Sequence, residues 1–205
     1  MTEKAAIPVH LLDREKTSPL IETWFEIVHL KQVYRKGWLE RGIAPELCES
    51  VAEHTFGNAM LCVLLLDQHP ELDAARVLKL ALVHDIGEAY VGDITPTDKV
   101  APEDKRQRES DAIQTIFEKL PNGEKLIADW YEYEAQETAE AKFVKQIDRF
   151  EFAIQASVYE HQGRVDASEF LGNVEEQLTN PVLLEEMATL RQIHPLVKTP
   201  NKKPQ

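Results

Sequence analysis

Residues 80–93 read LALVHDIGEAYVGD, and within them His84 and Asp85 come directly after an apolar run. Glu88 follows one helical turn after His84, so on a helix the two side chains lie on the same face. Polar groups are costly at positions where the apolar pattern predicts burial, so the stretch indicates a site and not a surface. Imidazole and carboxylate ligands suit a divalent metal and leave room for water, and the stretch therefore predicts a metal centre.

Composition and charge restrict the partners of the chain. Its 205 residues, 43% of them hydrophobic, predict one soluble domain with a sizeable core. Its net charge of −13 argues against a nucleic-acid polymer as partner, because such a partner requires a basic surface. A small anionic substrate is compatible with this charge, since a metal ion and a few basic side chains provide a positive site locally.

The location of the chain is predicted from segments that it lacks. No window approaches the roughly 20 uninterrupted apolar residues that a bilayer crossing requires, so no membrane segment is expected. Residues 1–9 show neither the basic nor the apolar segment of a signal peptide. Cys48 and Cys62 form no CxxC pair and are expected to be free thiols, so we expect a cytoplasmic protein.

Helix start signals recur along the chain. Thr17-Ser18-Pro19 predicts a helix over 19–34, and Ser50 with Glu53 predicts a capping box that opens a helix reaching about Asp67. Further helices are expected from Asp73 to the His84-Asp85 pair, over 103–120, from Thr138 onward and over 182–193. No β pattern appears, so the sequence predicts an all-α fold, a compact bundle of six to eight helices.

The segments between and around these helices also carry expectations. Residues 35–49 are expected to form a loop with a basic, aromatic tip, and Trp24 and Trp130 are expected to pack in the core because they lie on apolar stripes. The predicted domain covers residues 17–194. An N-terminal extension of residues 1–16 precedes it, and a flexible C-terminal tail of residues 195–205, rich in proline and lysine, follows it.

A metal site needs three or more ligands from different elements, so His84 and Asp85 require partners elsewhere. His54, in the first turn of a capped helix, and Asp148, within an apolar stripe, are the candidates. Each has a structural alternative. A lone histidine is more often a hydrogen-bonded core residue, and Asp148 can pair with Arg149 or a neighbouring lysine. Spacing alone leaves these alternatives open.

Five motifs between residues 20 and 165 carry a family resemblance: Arg35-Lys36-Gly37-Trp38, Glu49-Ser50-Val51-Ala52-Glu53-His54, Leu82-Val83-His84-Asp85-Ile86-Gly87-Glu88, Gly92-Asp93-Ile94-Thr95-Pro96 and Lys145-Gln146-Ile147-Asp148-Arg149-Phe150-Glu151. With them the chain resembles the HD-domain metal-dependent phosphohydrolases, whose signature is a histidine, a His-Asp pair and a distal aspartate. It is most similar to their 5′-deoxynucleotidase branch. The resemblance implies an HD-domain helical bundle.

The same resemblance implies roles for the acidic and metal-binding residues. One divalent cation, such as Co²⁺, Mn²⁺ or Mg²⁺, is expected to bind to His54, His84, Asp85 and Asp148. Glu88 matches the catalytic carboxylate of the family, and Asp93 matches a second acidic residue that activity needs.

Substrate contacts follow from the resemblance with one departure. Trp38 matches an aromatic residue that lies near the sugar and disfavours a 2′-hydroxyl. Bacterial members have an arginine directly before that tryptophan, whereas this chain has Gly37 there. Arg35 or Arg41 is therefore expected to hold the phosphate. Lys105 is a further candidate, for which a solvated surface charge is the favoured interpretation.

The resemblance implies a metal-dependent phosphomonoesterase that converts deoxyribonucleoside 5′-monophosphates into deoxynucleosides and phosphate. A homodimer is usual among such proteins. The metal set alone does not choose among phosphate esters, so a second hypothesis is hydrolysis of a cyclic nucleotide, a triphosphate or an alarmone. A third is a non-catalytic nucleotide-binding module with a structural metal, against which the additional carboxylates Glu88 and Asp93 argue.

Overall fold

Helices begin where side chains satisfy the free N–H groups of the first turn. In a computed structural model that describes residues 2–13 and 16–193, Ser18 accepts a hydrogen bond from the Ile21 N–H, and Pro19 occupies the first helical position. Ser50 and Glu53 form the expected capping box. Ser50 Oγ accepts from the Glu53 N–H at 3.3 Å, and Glu53 Oε2 accepts from the Ser50 N–H at 2.6 Å. The helix starts predicted at both positions are confirmed.

Ten α-helices occur in the described residues and are numbered here in chain order. They are α1 (Pro19–Ile27), α2 (Lys36–Glu40), α3 (Val51–Leu65), α4 (Ala74–Val83), α5 (Glu88–Val91), α6 (Pro102–Phe117), α7 (Gly123–Ala135), α8 (Ala139–His161), α9 (Ser168–Glu175) and α10 (Pro181–Leu190). All but the short α2 and α5 have eight or more residues, in agreement with the predicted six to eight helices. No strand occurs in the described residues, and two isolated bridges, Glu3 with Val33 and Tyr34 with Ser50, are the extended pairings found there.

Some helix bounds differ from the expectation. The first helix ends at Ile27 and continues as a 3-10 turn, Val28–Lys31, instead of running to residue 34. The expected loop over 35–49 contains α2 and a 3-10 turn, Pro45–Leu47. Helix α9 was not expected, and it begins after Ala167 without a side-chain cap, so the usual start signal is missing from the sequence.

The chain divides into two compact units, Met1–Lys145 and Gln146–Gln205. Within the first unit, apolar side chains of several helices form a buried cluster made of Leu30, Val33, Val51, Val83, Ile86, Ala89, Ile113, Ile116, Phe117 and Trp130. The expected core position of Trp130 is confirmed. Val83 and Ile86 belong to this cluster and flank His84 and Asp85, so the core fixes the backbone on both sides of the pair.

Helix α3 turns its more polar face inward. Its buried residues are Val51, His54, Thr55, Asn58, Cys62 and Leu65, which recur at helical spacing. Phe56, Met60, Val63 and Leu64 on the remaining faces are exposed. The inward orientation of a polar face is unusual for a surface helix, and it carries His54 into the interior.

An apolar groove lies on the surface of the first unit. It has a volume of about 280 Å³ and is lined by side chains of α1, α3 and α4. Trp24 borders this groove and is 57% exposed, so its expected core position is wrong. Helix α1 buries Thr23 and Glu26 instead, so its apolar stripe with Trp24 remains on the surface beside the groove.

A buried charge network holds α5 in place. Glu26 of α1 is almost fully buried, and its two carboxylate oxygens accept hydrogen bonds from Tyr90 Oη at 2.8 Å and Lys119 Nζ at 2.5 Å. A buried carboxylate requires such partners, because an uncompensated charge in the interior is strongly destabilising. Tyr90 belongs to α5, which follows the His84-Asp85 pair, so the network anchors that segment.

In the second unit, Gln146 joins the end of α9 to the start of α10. Its Oε1 atom accepts hydrogen bonds from the N–H groups of Thr179 at 2.6 Å and Asn180 at 3.3 Å, and its Nε2 atom donates to Gln177 O at 3.1 Å. Leu183 and Met187 of α10 are buried. The predicted tail of residues 195–205 lies outside the described residues, and the domain bounds at residues 17 and 194 remain predictions.

The described helices include none that combines the length and the apolar composition needed to cross a bilayer.

Candidate metal centre

Helix α3 brings His54 to the centre. The capping box at Ser50 fixes the first turn of the helix, and His54 lies within that turn with its ring fully buried. The backbone N–H of His54 donates to Ser50 O at 3.1 Å, so the start of the helix is closed at the residue that carries the imidazole. The cap therefore sets the position of this ring.

His84 caps the C-terminus of α4, and a backbone carbonyl orients its ring. His84 Nδ1 lies 2.8 Å from Ala81 O. A carbonyl oxygen only accepts hydrogen bonds, so Nδ1 carries the proton and Nε2 keeps its lone pair. Nε2 is buried and makes no hydrogen bond with the described residues. An imidazole held in this tautomer is what a metal ligand requires.

Asp85 completes a three-residue group. Its Oδ2 atom lies 3.2 Å from His84 Nε2 and 3.6 Å from His54 Nε2. The two imidazole rings meet nearly edge to face with their centroids 5.6 Å apart. The candidate ligand atoms of His54, His84 and Asp85 all lie within 4.8 Å of one another, a spacing at which one ion can contact all three.

Electrostatics keep Asp85 ionised. Burial alone raises the pKa of this carboxyl, but the positive charges of His84 and His54 in their protonated forms, together with Arg35, outweigh burial and hold the pKa well below its usual range. A negative carboxylate beside two buried imidazole nitrogens is a donor set with the nitrogen and oxygen ligands that divalent transition metals and Mg²⁺ accept. The residues present thus fit a divalent cation.

Glu88 adds a second carboxylate beside this group. It is the first residue of α5 and is buried, and its Oε2 atom makes no hydrogen bond with the described residues. Burial and the charges of Asp85 and Asp93 raise the pKa of Glu88 well above its usual range. A buried carboxyl with an unused oxygen is costly in a purely structural role, which indicates a chemical one.

Asp93 connects the centre to α2. Its Oδ1 atom lies 3.3 Å from the Arg35 guanidinium, and its Oδ2 atom accepts a hydrogen bond from the Lys36 N–H at 2.7 Å. Both oxygens are thus engaged by the segment that begins α2. The predicted catalytic acid therefore also holds two distant parts of the chain together.

A family model described as "HD domain" matches residues 27–188. The chain belongs to the HD-domain family. Membership confirms the resemblance inferred from the sequence and the all-α HD-domain fold. The model covers most of the chain, including all four residues predicted to bind the metal.

Relatives of this HD-domain chain carry informative names. It is 39% identical over 158 residues to "5′-deoxynucleotidase HDDC2" of Bos taurus, a match that covers 76% of this chain and 75% of the relative. It is 35% identical over 161 residues to "5′-deoxynucleotidase YGK1" of Saccharomyces cerevisiae, with coverage of 75% and 73%.

Solved structures share the fold. A "conserved hypothetical protein" from Pyrococcus furiosus superposes with a TM-score of 0.71 at 28% identity and covers 84% of this chain and 99% of its own. A "predicted metal-dependent phosphohydrolase" from Magnetospirillum magnetotacticum has a TM-score of 0.63 at 27% identity, with coverage of 84% and 91%.

The remaining predicted site residues of the HD domain have different surroundings. Trp38 of α2 is 1% exposed, and its indole N–H donates to Glu49 Oε1 at 2.7 Å. Arg41 follows α2 and is exposed. Asp148 lies on α8 in the unit Gln146–Gln205 and is partly buried. Its role as the fourth ligand remains a prediction.

Helix α6 contributes two charged side chains: Lys105, a phosphate candidate for which the sequence favoured a solvated surface charge, and Glu109, which the sequence analysis did not single out. Lys105 Nζ lies 3.5 Å from Glu109 Oε1, and the Glu109 side chain is 13% exposed. In the sequence the two residues form an ordinary i, i+4 pair on a highly charged helix, which is typical of a solvated face. The sequence offers one signal, Gly87 between Asp85 and Glu88, because a glycine allows close approach of another segment. In the structure that segment is α6, and a Cβ atom at Gly87 would lie 3.1 Å from Glu109 O.

Glu109 predicts a pH dependence of stability. Burial raises the pKa of its carboxyl to about 7, with Lys105 opposing this and Asp85 and Glu134 adding to it. Because the folded-state pKa lies above the ordinary 4.5, the folded state binds more protons between these values, and its stability falls as the pH rises through them. In metal-free protein, the stability of Glu109→Gln relative to wild type should therefore rise by roughly 2 kcal/mol between pH 5 and pH 8.

Urea unfolding at several pH values measures this difference. Glu103→Gln, at an exposed position of the same helix, is the matched control and should show no such trend. Parallel stability curves for wild type and Glu109→Gln across this pH range would contradict the assignment.

Proposed function

We propose that this HD-domain protein is a metal-dependent 5′-deoxynucleotidase, which hydrolyses deoxyribonucleoside 5′-monophosphates to deoxynucleosides and phosphate. One observation carries the proposal. His54, His84 and Asp85 converge in the interior, and Glu88 adds a buried carboxylate oxygen that no described residue uses. A structural metal site has no need of that additional acid. The names of the relatives support the choice of substrate class.

The cation is assigned to His54, His84 and Asp85, with Asp148 as the fourth ligand. Two imidazoles and two carboxylates suit Co²⁺, Mn²⁺ or Mg²⁺ and leave positions open for water and a phosphate oxygen. When bound, a cation of this kind lowers the pKa of a water ligand and neutralises charge on phosphorus oxygens. The hydrogen bond from His84 Nδ1 to Ala81 O keeps the imidazole aimed at it.

Glu88 is the proposed acid–base residue. Its carboxyl orients the attacking water or passes a proton to the leaving 5′-oxygen. Asp93 is the second acid of the reaction, and it keeps Arg35 beside the centre through their 3.3 Å contact. The 5′-alkoxide is a poor leaving group, so a carboxyl that donates a proton to the 5′-oxygen accelerates the reaction.

Substrate contacts are assigned to α2 and its flanks. Arg35 and Arg41 are the proposed arginines for the phosphate, and Trp38 is the proposed wall for the deoxyribose. Burial of the Trp38 indole and its hydrogen bond to Glu49 give this wall a fixed shape. A rigid wall excludes an additional hydroxyl by steric contact, which supports a preference for deoxyribose over ribose.

A homodimer is proposed through the apolar groove. Lys31 is the one charged residue among its described lining residues, and Phe56 and Leu82 beside it are 67% and 52% exposed. Apolar surfaces of this kind mark interfaces. Two copies that each carry a charge of −13 repel, so a contact surface almost without charge is where they can approach. The self-complementary contact expected of a dimer places the two grooves against each other.

A cytoplasmic location is also proposed. Cys48 and Cys62 are both buried as thiols. Burial and the nearby Glu49 charge raise the pKa of the Cys48 thiol to about 12, so it stays protonated and unreactive. Two buried cysteines in the thiol form are typical of a reducing compartment.

The activity predicts a specific loss in Glu88→Gln. Protein loaded with Co²⁺ or Mn²⁺ should release inorganic phosphate from deoxynucleoside monophosphates faster than from ribonucleotides. Glu88→Gln should lower kcat by about 10²–10⁴-fold, because an acid–base group is removed, while metal content stays unchanged. Phosphate release and bound metal are measured on the same samples, with Glu103→Gln as control. Release of pyrophosphate from triphosphates in place of phosphate from monophosphates would overturn the substrate class.

The ligand assignment predicts weaker metal binding in Asp148→Asn. Loss of a direct ligand should weaken Co²⁺ binding by at least the roughly 10–100-fold that removal of a group supporting a ligand costs. His84→Ala is the positive control, and the exposed Asp67→Asn should bind like wild type. Titration with Co²⁺ followed by its visible absorption measures the affinity. An unchanged affinity in Asp148→Asn would remove this residue from the ligand set.

The interface predicts dissociation by a charge in the groove. Sedimentation at micromolar concentration should give a dimer for wild type and a monomer for Phe56→Glu, because two like charges would face each other across a desolvated contact. Leu11→Glu changes another exposed apolar residue, at 86% exposure, outside the groove and should remain dimeric. A monomeric wild type, or equal dissociation of both variants, would contradict the groove as interface.

A further inference from the structure

The acidic centre requires a cation for the phosphate, and Arg35 is only partly available for this. Its guanidinium lies 3.3 Å from Asp93 Oδ1, and the neighbouring Lys36 N–H binds the other oxygen of the same carboxylate. The Arg35 side chain is 17% exposed in this arrangement. Much of its charge is therefore balanced by Asp93, and a phosphate ester with two negative charges needs a further partner.

Gly87 determines which helix faces the acidic residues. A Cβ atom at this position would lie 3.1 Å from Glu109 O and 3.2 Å from Glu109 Cα, closer than an ordinary contact. The glycine lies between Asp85 and Glu88, and its lack of a side chain lets the backbone of α6 approach the segment that carries both acids. The face of α6 that includes Glu109 thus borders the centre.

Lys105 lies one turn earlier on that face. Its Nζ atom is 3.5 Å from Glu109 Oε1 and 3.5 Å from Ile94 O, the carbonyl directly after Asp93. Both distances are at the long limit of hydrogen bonding, so neither contact fully satisfies the ammonium group. The side chain is 36% exposed, so the ammonium lies at the border between the centre and solvent. A substrate can reach it there.

The charge of Lys105 interacts with the whole acidic group. Burial on its own lowers the pKa of Lys105, but Glu109, Glu88, Asp85 and Asp93 outweigh burial and place the pKa above its usual value. The side chain thus remains an ammonium ion. A lysine is a compact charge on a flexible stem, so it can leave two weak contacts for a phosphate oxygen with little rearrangement.

We propose that Lys105 binds the phosphate group of the nucleotide from the α6 side of the centre. This role rests on the proposed 5′-deoxynucleotidase function and replaces the solvated surface charge that the sequence favoured for this residue. Phosphate bound here adds a strong charge-assisted hydrogen bond to the ammonium, which the long contacts to Ile94 and Glu109 do not provide.

Steady-state kinetics of metal-loaded Lys105→Met and Lys105→Gln test the proposal. Both variants should raise KM for a deoxynucleoside monophosphate, and the inhibition constant of inorganic phosphate, by about ten- to a hundredfold, as loss of a hydrogen bond between charged groups does. Inhibition by the deoxynucleoside, which has no phosphate, should be unchanged. Lys105→Arg should recover most of the phosphate affinity because it keeps the charge.

Arg108→Met is the matched control, since it removes an exposed positive charge from the same helix, and its kinetics should equal those of wild type. Unchanged KM and phosphate inhibition in the Lys105 variants of an active enzyme would overturn the proposal. Equal weakening of phosphate and deoxynucleoside inhibition would overturn it as well, since that outcome indicates a distorted site. Absence of phosphatase activity in the wild type would instead contradict the proposed function itself.

Discussion

The hydrogen bond between His84 Nδ1 and Ala81 O is the contact on which the centre depends. It is made within the last turn of α4, so the helix that delivers the histidine also chooses its tautomer. The choice leaves the Nε2 lone pair aimed at Asp85, 3.2 Å away. The position of His54 is also set locally, because its helix α3 starts at the Ser50 cap. Two short-range backbone arrangements thus place both imidazoles beside Asp85.

Charge around this centre is arranged in layers. Asp85 is ionised beside the imidazoles. The pKa of the neighbouring Glu88 carboxyl lies well above its usual range. Arg35 and Lys105 approach from two different elements and both lower the pKa of Glu88. A cluster of buried acids tolerates such proximity only when cations balance it. Arg35 and Lys105 supply positive charge beside the acidic residues. The donor set of His54, His84 and Asp85 could hold a metal ion.

The sequence predicted those parts of the structure that depend on local signals. The Ser18-Pro19 start, the Ser50 and Glu53 capping box and the neighbouring His84 and Asp85 are all legible from a few adjacent residues. Features that depend on which helix packs against which were not. Trp24 was expected in the core because it lies on an apolar stripe, yet it is exposed because α1 buries the face that carries Thr23 and Glu26. An apolar pattern reports that a face is hydrophobic, and it does not report what covers it.

Lys105 and Glu109 show the same limit at the site. Their i, i+4 spacing is indistinguishable from a solvated pair until Gly87 is seen to admit α6. For Asp93 the sequence indicated a catalytic role, and the structure adds a structural one, because its oxygens bind Arg35 and the Lys36 N–H. A carboxylate that anchors a loop is expected to be retained even in a family member that does not hydrolyse phosphate esters, because the fold still needs it. Glu88 Oε2 makes no such anchoring contact with the described residues, so under the proposed function we expect Glu88, and not Asp93, to separate hydrolytic from non-hydrolytic members of the family.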